Sequence, residues 1–247
     1  SVGVIVDMLK DAFKKPVYAM LVLPFANQYN DPDSMINTAT CLKKVLENSL
    51  ADAVFIVDNQ KFVRSHESMS YNYEQINRRI ADSFMDILCV GEETERRFIG
   101  EVLDANDVIR ILHGPTAIGV SEATVPKKSL SLLQRIKGNG GNGNNGSHGN
   151  HFASSKEQIE RAQNVLNRAL GELSIDCDYW GDGVATYDAH HVLGLFSGPN
   201  EQATEEIVEM MDSNLAEQVP GAGRRKGTYP GRTSETLSIT VIMSNLG

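Results

Sequence analysis

Two short apolar runs, VYAMLVLP at 17–24 and AVFIVDN at 53–59, constrain this chain more than any other feature. Each reads as a buried strand, the first bounded by prolines. Helical patterns stand around them. Val2, Ile5, Val6, Leu9 and Phe13 recur at helical spacing until Pro16, with Ser1 placed to act as N-cap. A polar loop, FANQYNDPDS, leads to a helix over about 35–50, and after the second run comes SYNYEQINRRIADSFMDIL, 70–88. There Ile76, Ile80, Phe84, Ile87 and Leu88 share one face of a 3.6-residue helix. Strand, helix, strand, helix at these lengths marks an α/β unit with a parallel sheet.

The second half alternates as well. A short helix spans Asp104 to Leu112 and TAIGVSEA is a strand. SLSLLQRIK then leads into GNGGNGNNGSHGNH, 138–151, whose glycines and asparagines cannot build a core and predict a flexible surface loop. A helix over about 154–172, the strand HHVLGLFSG, a helix over about 200–218 and the strand ETLSITVIMS complete the chain. This part is expected to alternate around a separate small sheet. The domain boundary falls near 112, giving units 1–112 and 113–247 with the long helix, about 70–90, packed between them.

Composition removes several classes of function. A chain of 247 residues can bury a large core, and a net charge of −9 is the wrong sign for a nucleic-acid partner. No apolar run approaches the length of a membrane span, and the start does not read as a signal peptide. Cys41, Cys89 and Cys177 are odd in number and far apart, as expected of free thiols in a reducing cytoplasm. GNGGNG at 138–143 fits G-x-G-x-x-G formally, but no strand precedes it and no helix N-terminus follows. His148 and His151 lack a third ligand, and His190 and His191 point to opposite faces of a strand, so no metal site is expected. GAGRRKGTYPG, 221–231, clusters three cations that could bind phosphate, but short charge runs are usually surface, so it reads first as a solvated loop or hairpin tip.

Three features carry chemistry. Tyr73 and Asn77 stand one turn apart at the mouth of the long helix. Asn59 lies just past the carboxyl end of a strand, where α/β sheets bind ligands, although Asn there is also an ordinary turn residue. Asp104 and Asp107 are one turn apart at a helix start and, taken alone, suit an N-cap and the helix dipole.

In this order the pieces resemble the tubulin/FtsZ superfamily, most closely its archaeal CetZ branch. The resemblance rests on PVYAMLVLPF, DNQKF, NYEQIN, VLDANDVI, GPTAIGVSEA, HHVLGLFSGP and the closing GTYPG and LSITVIMSNLG, and runs the whole length. It implies an α/β fold: the remainder of a Rossmann-like GTPase domain, a long central helix and a second α+β domain. It also implies a GTP-binding, self-assembling cytoskeletal protein of cell shape control or division, with Mg2+ accompanying the nucleotide. By the resemblance Tyr73 stacks on guanine, Asn77 reads its edge, and Asn59 contacts the nucleotide nearby. Asp31 and Asp33 are both candidates for the ribose, and Ser1 is the last residue of the phosphate loop. Asp104 and Asp107 would reach the nucleotide of the next subunit in a head-to-tail protofilament. FtsZ proteins usually carry Asn where Val102 stands here. The chain starts without Met and enters a helix at once, so an N-terminally truncated protein is expected, inactive alone. The alternative is a non-enzymatic assembly or filament-capping module of the same fold. The glycine- and asparagine-rich loop falls where tubulins place a lateral-contact loop.

Overall fold

The computed structural model describes residues 2–47, 51–63, 68–88, 103–125, 155–176, 178–181, 184–199, 202–230 and 235–247. The two apolar runs become adjacent parallel strands. β1 (Tyr18–Leu23) pairs with β2 (Ala53–Asp58) from Tyr18↔Ala53 to Leu23↔Asp58. Parallel pairing needs a long crossover, supplied by α2 (Pro32–Glu47). This helix begins earlier than the sequence suggests, with Asp31 turned into its first turn and Pro32 suited to the first helical position. Ahead of β1 lies α1 (Val2–Phe13).

The next strand, β3 (Gly114–Thr124), decides the architecture. Its first residues continue the parallel sheet, Ala53↔Gly114 to Phe55↔Thr116. From Thr116 to Thr124 it pairs antiparallel with β8 (Thr236–Leu246). The separate small sheet expected for the second half is therefore not formed: at 11 residues β3 is long enough to join both pairings. One six-stranded sheet results, in the order β1-β2-β3-β8-β6-β7, where β6 is Ala189–Gly198 and β7 is Gly223–Pro230.

β7 corrects a second expectation, because Gly223–Pro230 within GAGRRKGTYPG is an edge strand parallel to β6 and not a loop. Three consecutive cations hide it. Arg224 and Lys226 lie on one face and share Asp212 of α6 (Glu205–Gln218), each at 3.5 Å. Charges on an edge strand also discourage pairing with other chains. The small antiparallel pair β4 (Asp178–Gly181) and β5 (Val184–Tyr187) had no counterpart in the sequence reading. The helix expected from about 200 starts at Glu205, capped by Thr204, whose Oγ1 accepts from the Ile207 amide.

Helices cover both faces of the sheet. On one, α1 and α2 bring Val6 and Val45 against Val54 and Ile56. Beside them, α5 (Ser155–Gly171) and α6 bring Val165, Leu166, Ile207 and Met211 against Ala117, Val192, Phe196 and Val241. α5 comes so close that a Cβ on Gly119 would stand 2.1 Å from the Ala169 carbonyl oxygen. The other face carries α3 (Met69–Leu88) and α4 (Ala105–Ile111). Phe84 of α3 meets Phe55 edge-on, ring centroids 4.7 Å apart, while Val108 and Ile111 of α4 join Leu193, Leu195 and Ile242.

β1 is not buried on both faces as its sequence suggests. Ala19, Leu21 and Leu23 pack inward, whereas Tyr18, Met20 and Val22 are exposed.

Candidate functional site

The carboxyl ends of β1 and β2 and the start of α3 meet at one place. After β1 the chain turns through a short 3₁₀ segment, Ala26–Asn30, and after β2 through another, Asn59–Phe62. Gln60 ties the two turns, its Oε1 accepting from the Ala26 amide at 3.0 Å. Asp58 holds the second turn by accepting from the Gln60 amide at 2.9 Å. Below it, Ser174 donates from Oγ to the Ile56 carbonyl and accepts from the Ile118 amide, pinning the end of β2 to the sheet. Asn59 is thereby buried at the rim of the sheet.

α3 begins against these turns. Tyr73 meets the buried Phe25 edge-on, at 5.0 Å between centroids and an interplanar angle of 89°. That contact fixes the ring while leaving Tyr73 42% exposed, so an aromatic face is available to a planar ligand. Asn77 is exposed one turn further along the same helix face. Lower down, Arg79 lies over Phe62, 5.8 Å from its centroid, and pairs with Glu172 at 3.3 Å. This locks α3 to the second turn.

Of the predicted ligand residues, the structure gathers Asn59, Tyr73 and Asn77 on neighbouring elements at this rim. Asp31 accepts from the amides of Asp33 and Ser34 at 3.4 and 3.2 Å, which makes it the start of α2; Asp33 is exposed beside it. Ser1 and Val102 lie outside the described residues, as do the 138–151 loop, His148, His151, Cys89 and Cys177. Cys41 is a free thiol. The exposed Tyr73 ring and the Asn77 amide thus stand side by side above the buried Asn59. Three participants escaped the sequence reading: Phe25, Gln60 and the buried Asn72. Phe25 reaches Tyr73 and Gln60 reaches Ala26 across 34 or more residues, and Asn72 differs from a surface amide by its burial.

Asp104 and Asp107 are elsewhere. Asp104 caps α4 by accepting from the Asp107 amide at 2.9 Å, and Asp107 accepts in return from the Asp104 amide at 3.4 Å. The reciprocal capping box holds the two carboxylates as one rigid unit. Asp104 is exposed and Asp107 half-buried. Leu103 just before them is buried with Leu193, Leu195 and Tyr229, which seats the acids over β6 and β7. Four strand intervals separate β2 from β7 in the sheet order. At ~4.8 Å per interval that is about 19 Å. The acids and the Tyr73 rim therefore lie on separate parts of the sheet.

The histidines behave as their alternation requires: His190 is exposed, and His191 turns inward, its ring 6.2 Å from that of His113. Desolvation, then the neighbouring His113, holds His191 below its ordinary pKa. Among the described residues no group of three or more His, Cys, Asp or Glu side chains could hold a metal ion. No helix among them is long and apolar enough to cross a membrane.

Residues 66–247 match the family model described as tubulin-like CetZ, C-terminal domain. The tubulin-like protein CetZ1 of Haloferax volcanii is 24% identical over 98% of this chain and 59% of its own length. CetZ2 of the same organism is 37% identical over 49% of this chain and 32% of its own. Among solved structures, CetZ2 from Haloferax volcanii as a GTPγS-bound protofilament superposes with a TM-score of 0.74 at 22% identity, covering all of this chain and 60% of that one. An FtsZ from M. jannaschii superposes at 0.67 with 15% identity, over all of this chain and 61% of its own. The chain thus spans about three-fifths of the length of the first relatives it matches.

Proposed function

We propose, from the premise that this chain belongs to the tubulin-like CetZ family, that it is the part of a GTP-dependent, self-assembling filament protein that reads guanine at one end and delivers acids at the other. The separation of about four strand spacings between the Tyr73 rim and the Asp104–Asp107 pair carries this reading. Two groups on separate parts of one chain can meet between chains stacked head to tail, where one copy's acids face the next copy's nucleotide. The relative solved as a GTPγS-bound protofilament supports such stacking.

In this reading residues 1–112 carry both the nucleotide rim and the acid pair, and 113–247 form the body on which the acids sit. Tyr73 stacks on the purine, and Asn77 pairs its edge by donating and accepting together. Asn59 contacts the nucleotide from the end of β2. Asp31 is committed to capping α2, which favours Asp33 as the free carboxylate for the ribose. Ser1, which precedes α1 in the sequence, would face phosphate, and the bound Mg2+ would be held mainly by phosphate oxygens and water. Asp104 and Asp107 orient the attacking water on the neighbour's triphosphate, so assembly itself completes the site. The setting is cytoplasmic, in shape control or division.

The test uses a form of the protein that spans the full length of its relatives. Asn77→Ala should weaken GTP binding by about tenfold and narrow the preference for GTP over ATP, because the edge-reading amide is lost. Asp107→Ala should leave GTP affinity within about twofold and slow turnover on the order of a hundredfold. A capping or assembly module without chemistry would bind and polymerise but show no turnover even in the parent protein.

A further inference from the structure

The acid pair sits on a seat built by one glycine. Gly227, in the middle of β7, pairs with Leu195 of β6 and shares its outward face with Tyr229. A Cβ added there would lie 2.5 Å from Leu103 Cδ1, 2.8 Å from Cγ and 3.4 Å from Cβ. Distances this short engage the whole Leu103 side chain, and not only its tip. Leu103 is 4% exposed and immediately precedes Asp104, whose backbone and carboxylate make the capping box with Asp107.

We infer that Leu103 and Gly227 are positioning residues, a knob in a hole that aims Asp104 and Asp107 at the neighbouring copy's nucleotide. The role in turnover rests on the reading given above; the seat itself does not. The capping box fixes the acids relative to each other but not relative to the sheet. A seven-residue helix has little stiffness of its own to hold them. Val108 and Ile111 seat the body of the helix, and Leu103 adds the reference at its capped end by locking the residue before the cap onto the edge of the six-stranded sheet. Any side chain at 227 lifts Leu103 and moves both carboxylates with it. Displacement of reacting groups by about an ångström can cost on the order of a hundredfold in rate.

Three variants in the full-length protein test this: Gly227→Ala, Leu103→Ala, and the two combined. Each is read by GTP affinity, by turnover in assembled filaments, and by hydrogen exchange at the Asp107 amide. Gly227→Ala should keep GTP affinity within about twofold, lose about tenfold or more in turnover, and exchange the Asp107 amide faster. The double variant removes the clashing branch, so it should recover at least part of both losses. Leu103→Ala empties the seat without a clash and should show the same two changes more weakly, which covers the case in which Gly227→Ala fails to fold. Parent-like turnover and exchange in Gly227→Ala, or a double variant no better than the single, would overturn the seat. A parent with no turnover would instead defeat the proposed function, and exchange at Asp107 would still decide whether the seat holds the acids.

Discussion

The two flanks of this sheet differ in how far they close. In the body formed by β3, β8, β6 and β7, Val192, Phe196, Ile239, Val241 and Met243 are fully buried between the sheet and its helices. In the β1–β2 flank, α1 and α2 cover one face only. Tyr18, Met20 and Val22 are exposed on the other, the outer edge of β1 has no partner strand among the described residues, and Met8 and Phe13 of α1 are each 66% exposed. A strand that is apolar on both faces is suited to being covered on both. The body therefore buries its strands between its own helices, whereas one face of β1 is left open among the described residues. The proposed nucleotide rim lies on the flank and the acid pair on the body, so in that reading recognition would sit on the more open region.

The largest test of this contrast is Phe196→Ala, which should destabilise the chain by about 3–5 kcal/mol in chemical denaturation. A loss below about 1 kcal/mol would mean the body is not the stabilising region. The matching change on the flank, Val22→Thr, should cost less than about 0.5 kcal/mol in this chain. In a form as long as its relatives the cost should rise to about 1–2 kcal/mol if that face becomes covered. Equal cost in both forms would mean that this face stays open in the longer one as well.

The smallest effect concerns pH. Burial alone would raise the Asp52 carboxyl, but the Val17 amide bond at 2.7 Å and Lys10 at 3.2 Å outweigh it and hold it below its ordinary value. A carboxyl lowered in the folded state contributes stability above its unfolded pKa, roughly 3.9, and that contribution disappears as pH falls through the lower folded value. Asp52→Asn should thus be less stable than the parent at pH 7, with the gap closing below about pH 4. The gap is small because the pair is partly exposed, and a gap independent of pH would argue against the ion pair.

Much of this could be read from the residues. Local periodicity located α1, α3, α4 and the strands β1, β2, β3, β6 and β8, and Asn59, Tyr73 and Asn77 fall on neighbouring elements. What escaped was long-range. That β3 belongs to two pairings depends on its length and on partners more than 100 residues away in β8. β7 was hidden because Arg224 and Lys226 are satisfied by Asp212, a partner on another helix. Gly227 carries no signal at all until Leu103 is seen against it.

The central claim is that the rim of one copy and the acids of the next form a single site. It is tested most directly by mixing full-length Asn77→Ala with full-length Asp107→Ala, each slow alone. In a random equal mixture roughly a quarter of head-to-tail interfaces would join an intact acid pair to an intact rim. GTP turnover in the mixture should accordingly rise well above the mean of the two variants. Turnover equal to that mean would show that rim and acids serve the same chain, and would contradict the account.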